Sequence, residues 1–202
     1  MSPFEKKGIL CRPCIHLRLF LAALLLLLAV FPASAQNEST PHPRGQEIKA
    51  GLLYHFLKYV DWPPGSFALS STKIVICLYK SDPFGGYLQP LAGRSVNQRE
   101  IEIRAIQGVS TLAGCNLLFV NAAQQAGWPA LLKGVDGRSI LTVGDFKEFT
   151  ASGGMIAIDD KDTQIHICFN LNAIVAAQLH IRDPLLKLGV SVSVSPATNG
   201  GR

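Results

Sequence analysis

The apolar positions between Gln46 and Asp61 recur with the period of an α-helix. At 100° per residue they fall on one half of the helix cylinder. These positions are Ile48, Leu52, Leu53, Phe56, Leu57, Tyr59 and Val60. One broad apolar face is typical of a helix that lies on a sheet.

Two residues of this stretch depart from the simple pattern. Lys49 falls inside the apolar arc, and we interpret it as a first-turn lysine whose stem passes the edge of the core. Pro63 forces Trp62 out of the helical region, so the helix must end near Asp61. Trp62 is therefore expected in a rigid corner at the end of the helix.

Downstream, β-rich runs alternate with helical segments, and a hairpin follows. The predicted strands are Lys73–Tyr79, Glu100–Arg104, Cys115–Val120 and Ser139–Val143, and the predicted hairpin pairs Met155–Ile158 with Gln164–Phe169. The predicted helices cover 84–91, 122–133, 145–149, 171–179 and 183–189, and 190–194 is a short last strand or tail. This order predicts an α/β fold: a single three-layer domain with a mixed, mostly parallel sheet and an antiparallel C-terminal hairpin.

The first 35 residues have the pattern of a cleavable secretory signal peptide. Four basic residues flank or precede an unbroken apolar run, Leu19–Phe31, and Ala33-Ser34-Ala35 forms an A-x-A cleavage site. The run is too short for a comfortable membrane span. We therefore expect residues 1–35 to be a signal peptide, 36–45 a flexible arm, 46–194 the folded domain and 195–202 a disordered tail.

Cleavage of this leader changes the charge of the chain. The whole sequence carries +5, but the leader holds four basic residues and one acidic residue, which leaves 15 basic and 13 acidic residues and a net charge of +2. No basic stripe remains that would indicate nucleic acid or an anionic membrane surface. The mature protein is thus expected to bind neither, and to insert into no membrane directly.

Three cysteines follow the leader: Cys77, Cys115 and Cys168. An exported protein enters an oxidising compartment, so one pair is expected. In parallel strands Cys77 and Cys115 would lie at opposite ends, unless Cys115 precedes its strand or Cys77 lies in mid-strand. The residues alone leave all three pairings open.

The sequence offers little catalytic or metal-binding chemistry. It has no phosphate-binding glycine loop and no G-x-S-x-G elbow. His166 and Cys168 share a strand face, and we interpret them as a sheet-face histidine beside a buried thiol. The acidic run Asp159–Asp162 lacks the pattern of a calcium loop and is interpreted as a solvated hairpin turn. We predict no enzyme, no cofactor and no metal.

Several motifs resemble those of one family, and they occur in the family's order. The first is K-A-x-x-L-Y-x-F-x-K-Y-V-x-W-P, from Lys49 to Pro63. The others are Asp82-Pro83-Phe84-Gly85, Leu91-Ala92-Gly93, Leu141-Thr142-Val143, Gly153-Gly154-Met155-Ile156 and Phe169-Asn170-Leu171. Together they resemble the YfiR family of small periplasmic regulators over nearly all of residues 47–190.

The resemblance implies a role and a cysteine pairing. It implies a periplasmic protein that binds the periplasmic domain of an inner-membrane diguanylate cyclase and represses it, which lowers cyclic-di-GMP signalling and biofilm formation. It also implies a Cys77–Cys115 disulfide with Cys168 free and buried. The sequence leaves the oligomeric state open, a homodimer included.

A partner-binding protein must show apolar surface, and aromatic side chains are preferred anchors. We nominate Trp62 and Ile181 as partner contacts. The alternative function is a periplasmic small-molecule sensor, whose pocket would lie at the carboxyl ends of the parallel strands beside Asp82–Gly86.

Overall fold

The computed structural model describes residues 43–67, 73–161, 164–188 and 191–192. The predicted signal peptide, residues 36–42 of the predicted arm and the predicted tail at 195–202 lie outside the described residues. So does Asp162 of the acidic run.

The first helix, α1 (Pro43–Tyr59), begins three residues before the predicted start. Its buried positions are Ala50, Leu53, Phe56, Leu57 and Val60 just beyond its end. Ile48 is 45% exposed, whereas Ala50, which is not among the predicted apolar positions, is buried. The helix face that meets the core is therefore rotated from the predicted one. Contact with the sheet, and not the apolar pattern alone, decides which positions are covered.

The strands in chain order are β1 (Val60–Asp61), β2 (Lys73–Tyr79), β3 (Ser95–Val96), β4 (Arg99–Ile106), β5 (Leu117–Val120), β6 (Leu141–Gly144), β7 (Ile156–Lys161), β8 (Gln164–Phe169), β9 (His180–Ile181) and β10 (Ser191–Val192). Within the described residues, eight of them form one sheet in the order β10-β8-β7-β6-β5-β2-β4-β3. The pairings β7–β8 and β3–β4 are antiparallel, and the others in this sheet are parallel. The mixed, mostly parallel α/β sheet with its C-terminal hairpin is confirmed.

The remaining helices are shorter than the sequence predicted. They are α2 (Trp128–Val135), α3 (Leu171–Ala176) and α4 (Asp183–Leu186), with 3-10 turns at Gln89–Leu91, Val109–Thr111 and Ala122–Gly127. The predicted helix at 122–133 divides at Gly127-Trp128, where Pro129 in the first turn of α2 starts a new helix. The segments predicted as helices at 84–91 and 145–149 are mainly turns.

The sheet has a core on each face. On one face α1, α3 and α4 cover a cluster that includes Ile76, Phe119 and Ile156. On the other face α2 covers a second cluster that includes Val75, Leu118 and the two disulfide cysteines. Alternate residues of the central strands point to opposite faces, which is why the continuous apolar run from Ile74 to Tyr79 forms a strand buried on both sides.

Candidate partner-binding site

Two short strands outside the main sheet bring the predicted partner contacts together. Strands β1 and β9 pair antiparallel, with Val60 opposite Ile181 and Asp61 opposite His180. The backbone N–H of Arg182 also donates to the carbonyl of Tyr59 at 2.9 Å. This ribbon ends α1 and fixes the position of Trp62, which follows it directly.

The ribbon has an inner and an outer side. Val60 and Ile181 point inward, and Ile181 is only 5% exposed and packs in the core. Asp61 and His180 point outward. The side chain of Ile181 thus lies beneath the surface that we nominated, and it holds the ribbon in place there.

Trp62 lies in what we call the aromatic corner, which consists of Trp62, Phe67 and Arg99. The rings of Trp62 and Phe67 meet edge to face with centroids 6.2 Å apart. The guanidinium carbon of Arg99 lies 3.7 Å from the centroid of the Phe67 ring, a cation–π contact. Both rings are partly exposed, so the corner presents aromatic surface that is held in one arrangement.

An ion pair braces the ribbon on its outer side. The guanidinium of Arg182 donates through Nε to both carboxylate oxygens of Asp61 at 3.0 Å, and its second nitrogen contacts Oδ1 as well. The Arg182 hydrogen bond holds the pKa of Asp61 below its ordinary value, and the nearby charges of Arg182 and His180 act in the same direction. The two side chains remain 43% and 45% exposed, so the pair sets geometry more than stability.

The disulfide joins Cys77 to Cys115, with 5.8 Å between their Cα atoms. Cys115 precedes β5 rather than opening it, because the strand begins at Leu117. The side chain of Asn116 accepts from the backbone N–H of Val75 at 2.8 Å, which aligns this loop beside β2. Cys168 is free, as expected, but it is partly exposed rather than buried.

The guanidinium of Arg104 lies against this disulfide. Arg104 lies opposite Cys77 on β4, and one of its terminal nitrogens is 3.5 Å from the Cys115 sulfur and 3.7 Å from the Cys77 sulfur. The same nitrogen donates to the carbonyl of Ala113 at 2.7 Å. Arg104 therefore ties the loop that carries Cys115 to the strand next to β2.

From the sequence we interpreted Lys49 as a lysine whose stem passes the edge of the core. In the structure it also forms ion pairs. Its ammonium lies 3.4 Å from Asp145 and 3.7 Å from Asp160, and its side chain is 14% exposed. Asp145 also accepts from the backbone N–H of Ala122 at 2.6 Å. Asp159 and Asp160 belong to β7 and not to a hairpin turn, so the interpretation of the acidic run as a solvated turn is wrong for these two residues.

These contacts place the start of α1 over the carboxyl ends of the parallel strands. A Cβ atom on Gly85 would lie 3.0 Å from the side-chain oxygen of Gln46, and one on Gly45 would lie 2.8 Å from the carboxylate of Asp160. The edge that the alternative function assigned to a ligand, beside Asp82–Gly86, is thus in close contact with the protein's own helix.

Two further findings concern metals and membranes. The described part of the chain contains no group of three or more His, Cys, Asp or Glu side chains placed to hold a metal ion. None of the helices within residues 43–67, 73–161 and 164–188 has both the length and the apolar content needed to span a bilayer.

Sequence reasoning missed most of the polar part of this site. Arg182 is 121 residues from Asp61, and no local pattern announces such a pair. Arg99 and Arg104 lie on β4, which was predicted as a strand over Glu100–Arg104, but a strand pattern tells which face a side chain is on and not which residue it contacts. The one available signal was the position of Phe67 and Trp62 on either side of Pro63-Pro64-Gly65, which marks a corner.

Comparison with known proteins gives one informative match. No curated protein matches the sequence. Eight chains of solved structures match, among them an ABC domain in complex with L-Trp from Streptococcus pneumonia. That chain is 11% identical with a TM-score of 0.43, and the match covers 60% of this chain and 55% of the other, a likeness too weak to support any argument.

The family comparison is stronger and covers nearly all of the described domain. The family model described as YfiR/HmsC-like matches residues 46–190, which include α1 from Gln46 onward, the ribbon, the aromatic corner and the disulfide. This match extends over more than half of the 202 residues. The chain therefore belongs to the YfiR/HmsC-like family.

Proposed function

We propose that this protein is a periplasmic regulator that binds the periplasmic domain of a membrane-anchored diguanylate cyclase and represses it. The observation that carries the proposal is the family match over residues 46–190. At the level of the family, that match supports a periplasmic regulator of diguanylate cyclases. Repression would lower cyclic-di-GMP and, with it, biofilm formation.

The aromatic corner is the surface we assign to the partner. Aromatic and arginine side chains dominate the binding energy of protein interfaces, and here Trp62, Phe67 and Arg99 lie in contact in one place. Because the ribbon and the Asp61–Arg182 pair fix the corner, little conformational entropy is lost when a partner covers it. In this proposal Ile181 contributes from below, by packing the ribbon on the core.

The family acts by regulation rather than by catalysis, and we propose the same for this chain. Export through the leader places the protein in the compartment of its partner. Intact-mass measurement on periplasmic protein should give a chain that begins at Gln36. A mass that includes residues 1–35 would contradict cleavage.

The proposal is tested in a strain from which the gene is deleted while the cyclase is retained. We expect cyclic-di-GMP and biofilm mass to rise, and wild-type protein supplied in trans to restore both. Unchanged cyclic-di-GMP in the deletion strain would contradict repression.

Two variants then test the surface in the same strain. Trp62→Ala should fail to restore low cyclic-di-GMP. Tyr87→Ala is the matched control, since Tyr87 is 40% exposed in the loop that follows β2. Equal complementation by the two variants, at equal periplasmic protein level, would contradict the assignment of the aromatic corner as the partner-binding surface.

A further inference from the structure

We infer that a cavity at the amino-terminal edge of the sheet binds a small amphiphilic anion, a compact apolar body that carries one carboxylate. The cavity has a volume of about 380 Å³. Ligand pockets span roughly 300–1,000 Å³, so it suits a small molecule. None of the three residues of the aromatic corner lines this cavity, and the inference stands whether or not the proposed partner is correct.

The cavity lies where three elements meet. The last turn of α2 forms one wall and α3 forms another, and the floor is the start of β6 with the residue that precedes β7. Thr142 and Met155 form this floor. The hydroxyl of Thr142 accepts a hydrogen bond from the backbone N–H of Met155 at 3.1 Å. The polar groups of the floor thus already bond to each other, which leaves an apolar surface facing the cavity.

The walls are apolar and are kept apart by small residues. Leu132 and Val135 face the cavity from α2, while Ala173 and Ala176 face it from α3 and Ala177 from just beyond that helix. Gly153 contributes a backbone with φ of +95°, where an added Cβ would lie 3.0 Å from Leu132. Larger side chains at these positions would fill the space, so the small residues keep the cavity open.

The charged side chains at the mouth of the cavity favour an anionic ligand. Lys133, Asp136 and Arg138 are all exposed at the rim, giving two cations against one carboxylate. Among the described residues no ion pair or hydrogen bond engages the Arg138 guanidinium, and Arg138 also lines the adjoining cavity of about 390 Å³ beside Pro63 and Cys115. A guanidinium in this position can take a carboxylate through two parallel hydrogen bonds.

The apolar walls and the cationic rim together define the ligand class. A purely polar solute would lose its hydration against Leu132, Val135 and Met155 without new hydrogen bonds. A neutral apolar molecule would leave the rim unused. A carboxylate on a short aliphatic or aromatic body satisfies both parts of the site.

The test is a titration of the exported protein with decanoate, held below its micellar concentration, against decanol as the neutral analogue. Met155 is one of only two methionines in the chain, the other being Met1. A methyl-labelled methionine therefore reports from the floor of the cavity by NMR. We expect a saturable shift of the Met155 methyl signal with decanoate and weaker binding of decanol.

Three variants locate the binding. Ala176→Trp should fill the cavity and abolish the shift without a buried clash, because Ala176 is exposed in the free protein. Arg138→Gln should weaken decanoate binding by about three- to tenfold and leave decanol unchanged. Arg94→Gln is the matched control and should bind as wild type. Arg94 directly precedes β3, the outermost strand of the sheet on the side away from the hairpin.

The inference is overturned by any of three results: no saturable shift in the wild type, binding that survives Ala176→Trp, or equal affinity for decanoate and decanol. All three readouts concern the isolated protein. Their failure is therefore distinguishable from failure of cyclase repression in cells.

Discussion

The two faces of the sheet are stabilised in different ways. Among the described residues, 26 buried side chains form the cluster beneath α1, α3 and α4, whereas 14 form the cluster beneath α2. The smaller cluster contains the Cys77–Cys115 link and the tilted ring pair of Trp128 and Phe149, whose centroids are 4.5 Å apart. The larger face depends on apolar burial, and the smaller face adds a covalent bond where burial is limited.

The difference bears on function as well as on stability. The α1 face carries the ribbon and the aromatic corner at one end of α1 and the Lys49 ion pairs at the other. Damage to that face should remove fold and partner binding together. Damage to the disulfide face should lower stability first.

The largest effect is expected on the α1 face. Phe56→Asp places a carboxylate at a position with no exposed surface, which costs several kcal/mol. We expect no soluble folded protein in the periplasm, measured by fractionation and circular dichroism. His55→Asp is the control on the same helix, since His55 is exposed, and it should fold normally. Normal melting of Phe56→Asp would show that α1 does not lie on the sheet as described.

The disulfide face should show the second largest effect. The Cys77–Cys115 bond closes a loop with a sequence separation of 38, and the chain-entropy model assigns such a link about 3–4 kcal/mol. Reduction or Cys77→Ser should therefore lower the melting temperature strongly. Cys168→Ala is the control, because Cys168 is free, and its effect should be mild. A melting temperature insensitive to reductant, or a crosslink to Cys168 in peptide maps of the non-reduced protein, would contradict the account.

A smaller effect is expected where α1 is fastened to the carboxyl edge. Lys49→Met removes the cation between Asp145 and Asp160 and leaves two carboxylates close together. We expect a loss of about 1–3 kcal/mol in the free energy of unfolding, measured by urea denaturation. Lys58→Met, at an exposed position of the same helix, should change stability little. Equal effects of the two variants would mean that the Lys49 pairs do not hold the helix.

The smallest effect concerns the Asp61–Arg182 pair. Its side chains are largely exposed, so Arg182→Gln should cost only about 0.2–1 kcal/mol. The pKa of Asp61 is lowered in the folded protein, so the contribution is present above the ordinary aspartate value of 3.8 and is lost as the pH falls through the lower, folded value. Urea denaturation between pH 7 and pH 2 should show the difference between wild type and Arg182→Gln shrinking in that acid window. A difference that grows on acidification would have the wrong sign.

The sequence predicted the regular parts of the fold and missed the parts that depend on distant contacts. Strands β2 and β8 follow from local pattern and were predicted with the correct bounds. The first strand of the hairpin was predicted to end at Ile158, but β7 continues to Lys161. The ribbon of β1 and β9 consists of two residues on each side, too short for any period to show. Val60-Asp61 continues the helical pattern of α1, yet pairing with His180-Ile181 makes it a strand.

The candidate site divides in the same way. Trp62 was placed at a corner because Pro63 dictates the backbone before it. Arg99, Arg104 and Arg182 could not be assigned, because each acts through a partner that only the folded chain brings near. For Lys49 the charge was noted but its function was not, since Asp145 and Asp160 are about one hundred residues away.

Direct binding between the oxidised mature protein and the isolated periplasmic domain of the diguanylate cyclase tests the central claim most directly. Isothermal titration should show saturable binding, weakened at least tenfold by Trp62→Ala, as expected for an aromatic anchor worth roughly 2 kcal/mol, and unchanged by Tyr87→Ala. Absence of binding by correctly folded wild-type protein would contradict the partner, and equal affinity of wild type and Trp62→Ala would contradict the surface.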